Sequence, residues 1–328
     1  MVEPKLIEQI LASSLEAIKS LMEDRKVTEI MVTADGVVWV ERGGSIEDSG
    51  IVLSETDRRF ALITVAKYVG TDMRENTESA VVSASVGGLR FAGALMPVDP
   101  RGTTLCIRKH LDPESRPSLE QLVEWKMLTQ EQADLLVKLV IVDKKNAVFV
   151  GATSSGKTTT MNAILAKLPS YERIGVIEDA KELAPKVPCR STYLTNAQKG
   201  LTARVLIQLA MRERYDRLVI GESRGDDTFD LIRALSSGHN GSITSIHGSG
   251  AMEGLATLEM LFQMSVPPGA NVPVDVAQKY IASAINVLIY TERRYEPDGT
   301  GGVKSVRSVK EIALVMGVNN GKYEIKYL

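Results

Sequence analysis

The stretch GATSSGKT, residues 151–158, fills every fixed position of the pattern G-x-x-x-x-G-K-[S/T]. Residues 147–150 before it are apolar and read as a short buried strand, and residues 159–168 after it read as a helix. Strand, glycine-bearing turn and helix in that order aim successive backbone N–H groups and a helix N-terminus at one point, which is how a chain cradles a polyphosphate. Each position then has a task. Gly151 and Gly156 let the backbone approach the phosphates, Lys157 reaches the β and γ phosphates, and the Thr158 hydroxyl ligates Mg2+. Ala152, Thr153, Ser154 and Ser155 occupy the variable positions and, with Thr159, complete the expected nucleotide-binding stretch. ATP or GTP with Mg2+ is the ligand this pattern predicts.

Composition sets the frame. At 328 residues and 44% hydrophobic content the chain can build two cored domains of roughly 150 residues each. Its 39 basic and 41 acidic side chains nearly cancel, which gives no sequence case for nucleic acid as the main partner. Cys106 and Cys189 lie far apart with no CxxC, so neither a zinc site nor a disulfide framework is expected, and a reducing cytoplasm is the simplest compartment. The first 22 residues lack a basic leader and a long apolar core, and no run approaches the ~20 apolar residues of a membrane span. A cytoplasmic protein, at most peripheral on a membrane, is expected.

Residues 4–21 place Leu6, Ile10, Leu11, Leu15, Ile18 and Leu21 on one helical face and predict an opening helix. Residues 27–40 read as two strands about Ala34-Asp35-Gly36, because Asp-Gly between apolar runs signals a hairpin turn. A helix over 57–68 and a β-rich stretch over 80–108 complete a smaller α+β N-terminal domain, residues 1–108. Pro113, Ser115, Pro117 and Ser118 mark residues 109–119 as a linker. In residues 120–328, one or two helices over 120–142 precede apolar runs at 147–150, 174–177, 218–220, 243–246 and 285–289. These alternate with helical segments at 201–214, 228–236 and 251–264. The alternation predicts an α/β domain with a mainly parallel sheet, whose ligands gather beyond the strand C-termini.

The remaining motifs fall at those strand ends. Glu178 and Asp179 close one apolar run and Glu222 closes another, where a carboxylate can hold Mg2+ through water or orient an attacking water. His247 closes a third and would point to the same edge, within reach of a γ-phosphate. His239, in a glycine-rich turn, reads as a structural hydrogen-bond partner, and His110, in the linker, invites no role.

Four segments now stand in one order: GATSSGKT (151–158), VIEDAKEL (176–183), RLVIGESRG (217–225) and GSITSIH (241–247). That order resembles the secretion-ATPase superfamily, which powers type II and type IV secretion and pilus extension and retraction. VTEIMVTADGVVWVERGG (27–44) and GLRFAGALMPVDPRGTTLCIRK (88–109) look like the N-terminal domain of the type IV traffic ATPases, particularly the conjugal-transfer branch. The resemblance implies a RecA-like C-terminal domain, nucleotide held between two domains, a homo-hexameric ring and ATP hydrolysis at the cytoplasmic face of an inner-membrane secretion or conjugation complex. It implies that Glu222 polarises the attacking water, that Glu178 and Asp179 form an acidic box serving catalysis and Mg2+, and that His247 holds the histidine-box position. It further implies that Arg90 and Arg108 reach the phosphates. Ala180, Tyr215, Ser223 and Gly248 depart from the family pattern without removing a reacting group.

Two readings compete with a type IV secretion or conjugation ATPase. A pilus-assembly or retraction motor shares the catalytic motifs. A RecA-like nucleic-acid-dependent NTPase would share the nucleotide site, but the balanced charge and the lack of interleaved aromatic and basic residues count against it.

Overall fold

The computed structural model describes residues 4–109, 116–196, 200–297 and 303–328. These divide into two compact units, Met1–Leu111 with Tyr295–Ser305 and Asp112–Arg294 with Val306–Leu328. The first unit thus recruits a segment from near the C-terminus, which no local sequence signal announces. His110 and most of the expected linker lie outside the described residues.

The first unit is a six-stranded sheet with helices on one face. Its strands are β1 (Val27–Val32), β2 (Val37–Arg42), β3 (Ser45–Val52), β4 (Val81–Val86), β5 (Leu89–Ala94) and β6 (Thr104–Lys109), in the spatial order β3-β2-β1-β6-β5-β4. The opening helix is not continuous: α1 (Pro4–Ser14) is followed by a 3-10 turn (Glu16–Ile18) and α2 (Lys19–Glu23), with Leu15 at non-helical φ −109° and ψ 13°. The apolar stripe survives the break, since Leu11, Leu15, Ile18 and Leu21 are all buried. They join Ala61, Leu62 and Val65 of α3 (Glu55–Tyr68) and the inward residues Ile30, Phe91 and Ile107 in one core. Strand β3 escaped the periodicity reading because most of its residues are exposed and carry no apolar alternation. Buried Arg58 holds three loops together, donating to the carbonyls of Ala34, Leu53 and Thr103 while pairing with Glu55. Gly36, at φ +94° in the expected turn, leaves no room for a Cβ beside Arg58.

In the second unit, α4 (Leu119–Glu124) and α5 (Gln130–Leu136) each begin with a reciprocal capping box, Ser118 with Gln121 and Thr129 with Gln132. A π-helical segment (Val137–Val142) then leads to the sheet. The strands are β7 (Ala147–Val150), β8 (Ile174–Glu178), β9 (Arg190–Leu194), β10 (Arg217–Ile220), β11 (Ile243–Ile246), β12 (Val287–Pro297), β13 (Val303–Asn319) and β14 (Lys322–Tyr327). They run β14-β13-β12-β7-β11-β10-β8-β9, and every pairing from β12 to β9 is parallel. Both faces are covered, so the central strands are buried at every residue and read as uninterrupted apolar runs. On one face Phe149, Val176, Val219 and Ile289 meet α4, α5 and α6 (Lys157–Leu165). On the other, Val148, Ile177 and Ile220 meet α7 (Ala203–Ala210), α8 (Thr228–Leu235), α9 (Ala251–Ser265) and α10 (Val274–Ala284). This is the α/β architecture with a mainly parallel sheet that the alternation predicts. Among the described residues no helix is long and apolar enough to cross a membrane.

At the N-terminal end of these strands lies a buried ion pair. Arg217 donates through Nε and Nη2 to Glu172, and also to the carbonyls of Val140, Ile141 and Gly241, while Lys144 sits 2.8 Å from the same carboxylate. Burial alone would raise the Glu172 carboxyl, but the two cations outweigh it and hold the group below its ordinary range.

Candidate active site

Parallel pairing puts the C-termini of β7, β11, β10 and β8 side by side on one edge. Residues 151–158 leave β7, His247 leaves β11, Glu222 stands two residues beyond β10, and Glu178 ends β8. Three segments far apart in sequence therefore line up beside the glycine-rich loop.

The loop has the shape that polyphosphate binding needs. Ser154 and Gly156 take positive φ, +60° and +99°, which turns the backbone N–H groups around the bend into α6. A Cβ at Gly151 would collide with the Thr291 carbonyl and lie 2.5 Å from Ser155 Oγ, and one at Gly156 would collide with Met127 Cε. The loop is braced from outside: Ser155 Oγ and Thr291 Oγ1 are 2.8 Å apart, and Arg307 Nε of β13 donates to the Ser154 carbonyl at 2.8 Å. Lys157 Nζ donates to the carbonyls of Gly151 and Ala152 at 2.6 and 3.0 Å. Burial lowers its pKa, opposed by the negative charge of Glu222. A buried ammonium held by two neutral carbonyls is a ready partner for a phosphate oxygen.

The two carboxylates of the acidic box have different surroundings. Glu178 is 5% exposed; its Oε2 accepts the backbone N–H groups of Glu182 and Leu183, both at 2.8 Å, and its buried Oε1 has no partner. Burial raises its pKa to about 7, against the opposing effect of those two N–H donors. Asp179 is exposed and accepts from Thr195 Oγ1 at 2.6 Å and Arg224 Nη1 at 2.5 Å. Glu222 is contacted on both oxygens, by Arg224 Nε at 2.7 Å and by His247 Nε2 at 3.0 Å. The structure thus joins Asp179, Glu222 and His247 in one network, and gives Glu178 the separate work of capping the following loop. His239 is buried, with Nδ1 3.0 Å from the Ala234 carbonyl, in the structural role expected of it.

Arg90 and Arg108 belong to the first unit, directly opposite each other on β5 and β6, with Glu29 of β1 opposite Arg108 in the same row. Arg108 Nη2 lies 3.2 Å from Glu29 Oε2, and Cys106 Sγ donates to Glu29 Oε1 at 3.0 Å. Burial and the Glu29 carboxylate beside it push the Cys106 thiol up to about 12. Two guanidinium groups side by side repel, so Glu29 offsets part of that cost.

The sequence reading missed Arg224, Thr195, Thr291 and Arg307. Arg224 stands two residues from Glu222, close enough to have been considered; the others arrive by tertiary contact and leave no local signal. Two departures from the family pattern have packing reasons. Gly248 has no space for a Cβ, which would fall 2.6 Å from Val150 Cγ1. Tyr215 is buried over Gly175, bonds Glu213 at 2.7 Å and stacks under the Arg173 guanidinium at 4.9 Å.

Comparison with known proteins agrees with this geometry. Residues 75–296 match the family model described as type II/IV secretion system protein. The conjugal transfer protein TrbB of Rhizobium radiobacter is 26% identical over 99% of this chain and 94% of its own length. A putative conjugal transfer protein of Mycobacterium tuberculosis, MT3759, is 30% identical over 84% of this chain and 79% of its own length. The crystal structure of the pilus retraction motor PilT with bound ADP shares the fold, with a TM-score of 0.58 at 17% identity, covering 95% of this chain and 84% of that one. With its glycine-rich loop, acidic strand ends and histidine on one edge of a parallel sheet, the chain belongs to the type II/IV secretion system protein family.

Proposed function

We propose that this chain is a ring-forming ATPase that hydrolyses ATP to ADP and phosphate and so powers a type IV secretion or conjugative transfer apparatus. The observation that carries the reading is the loop 151–158, with the Lys157 ammonium on its carbonyls, beside Glu222 and His247 at the neighbouring strand ends. The conjugal transfer proteins matched over 99% and 84% of the chain support the choice of apparatus.

In this reading the backbone N–H groups of residues 151–158 and Lys157 hold the β and γ phosphates, and Glu222 takes the proton of the attacking water. His247, which contacts Glu222, is proposed to respond to the γ-phosphate. A bound Mg2+ would neutralise charge on the phosphate oxygens; the Thr158 hydroxyl would hold it, with Asp179 and the one Glu178 oxygen that no protein donor contacts, Oε1, reaching it through water. A magnesium ion that keeps phosphate and water ligands needs only such a small protein donor set. Arg90 and Arg108 are proposed to reach the phosphates as transition-state charge develops. The functional assembly is a homo-hexameric ring, working at the cytoplasmic face of an inner-membrane complex.

Two variants test the chemistry. Lys157→Ala should lose both nucleotide binding and turnover, whereas Glu222→Gln should bind ATP and hydrolyse it at least roughly a hundredfold more slowly, the scale of a lost general base. Near-normal turnover in Glu222→Gln overturns the assignment. The fold shared with a pilus retraction motor keeps a pilus function as the second reading. DNA transfer frequency and twitching motility in deletion strains separate the two.

A further inference from the structure

Arg224 is gripped at both ends of its guanidinium by carboxylates that come from different strands. Nε donates to Glu222 Oε2 at 2.7 Å, and Nη1 donates to Asp179 Oδ2 at 2.5 Å. The far side of Asp179 is held by Thr195 Oγ1 at 2.6 Å. The backbone that presents Arg224 is itself fixed. Ser223 N donates to the Ser245 carbonyl at 2.9 Å, and buried Asp227 Oδ1 accepts from Ser223 Oγ at 3.1 Å, Arg224 N at 3.2 Å and Gly225 N at 3.3 Å. Glu222 therefore cannot turn its carboxylate without breaking a contact to Arg224 on one oxygen or to His247 on the other.

A carboxylate that accepts a proton from water is useful only when aimed, and a misplacement of about 1 Å can cost on the order of a hundredfold in rate. We propose that Arg224 is a positioning residue for hydrolysis: its planar fork ties Asp179 of the acidic box to Glu222 and holds the Glu222 carboxylate in one orientation. This rests on the reading of Glu222 as the group that activates water. Asp179 shares the Arg224 guanidinium with Glu222, so that one planar group spans both carboxylates. An ammonium cannot serve, because a point charge does not present two donors in the fixed geometry that spans both partners. The competing account is a plain surface ion pair, half exposed, adding little to stability and nothing to turnover.

A double-mutant cycle in the full chain separates these accounts, with Mg-ATP turnover, KM and single-turnover rates as readouts. Arg224→Ala and Arg224→Gln should each lower kcat about tenfold or more with KM for ATP changed less than about threefold, and Arg224→Lys should not restore the rate. Asp179→Asn should reproduce part of the loss. In the Glu222→Gln background, Arg224→Ala should cost less than about twofold, because nothing remains to be positioned. Wild-type kcat in Arg224→Ala and Arg224→Gln overturns the proposal, as does the same fold-loss in both backgrounds. Wild-type turnover in Glu222→Gln alone overturns the underlying assignment instead, so the two failures are distinct.

Discussion

Glu178 shows how one residue's surroundings change its chemistry. Its pKa is raised to about 7 because burial disfavours the charge more than the Glu182 and Leu183 N–H groups favour it. The folded state therefore binds a proton that the unfolded state, near 4.5, has already released. Stability from this group is fully present below pH 4.5 and is lost as pH rises through about 7. Wild type should lose on the order of 2 kcal/mol relative to Glu178→Gln between pH 5 and 8. Urea unfolding of both proteins across that range measures it, and parallel stability curves would show that Glu178 titrates in the folded chain much as it does in the unfolded one.

At the scale of the element, strand β7 and the loop after it work as a single part. Val150 is crowded by Gly248 and Gly254 on neighbouring segments, where an added Cβ would lie 2.6 Å from its methyl groups. Gly151 follows at once, against the Thr291 carbonyl and Ser155 Oγ. Backbone and a braced hydroxyl cannot yield as a flexible side-chain tip does, so Gly151→Ala should force the loop away from β12. We expect a loss of about 2 kcal/mol or more in stability together with at least tenfold weaker ATP binding. Calorimetry with and without Mg-ATP reads both quantities, and an alanine variant that binds ATP normally would mean that close backbone approach at 151 is dispensable.

For the whole molecule the largest mechanistic consequence attaches to Arg90 and Arg108. Their adjacency on β5 and β6, with Glu29 beside them, makes a paired guanidinium face on the first unit's sheet. Arginines that meet phosphate chiefly in the transition state elsewhere contribute ~10³ to 10⁵ in turnover. Arg90→Ala and Arg108→Ala should each lower kcat far more than they weaken nucleotide binding, and lysine should rescue neither, for want of the planar fork. Steady-state hydrolysis beside equilibrium binding of an ATP analogue makes the comparison. Wild-type rates in both alanine variants would remove the first unit from the catalytic machinery.

The sequence by itself determined the parts that depend on neighbours in the chain. GATSSGKT needs only its own spacing and a strand before it, and apolar runs in a sheet covered on both faces declare themselves without a periodic pattern. The strand-end positions of Glu178, Glu222 and His247 followed from the same runs. The tertiary structure decided everything that depends on distant partners. It split the opening helix at Leu15 while keeping its buried stripe, and it added strands β3, β9, β13 and β14 at the margins of the two sheets, where few residues are fully buried and no run is apolar throughout the strand. It placed Tyr295–Ser305 with the first unit across nearly the full length of the chain. It gave Glu178 to a loop and Arg224 to Glu222, because a hydrogen bond is fixed by where two strands end in space and not by how many residues separate them.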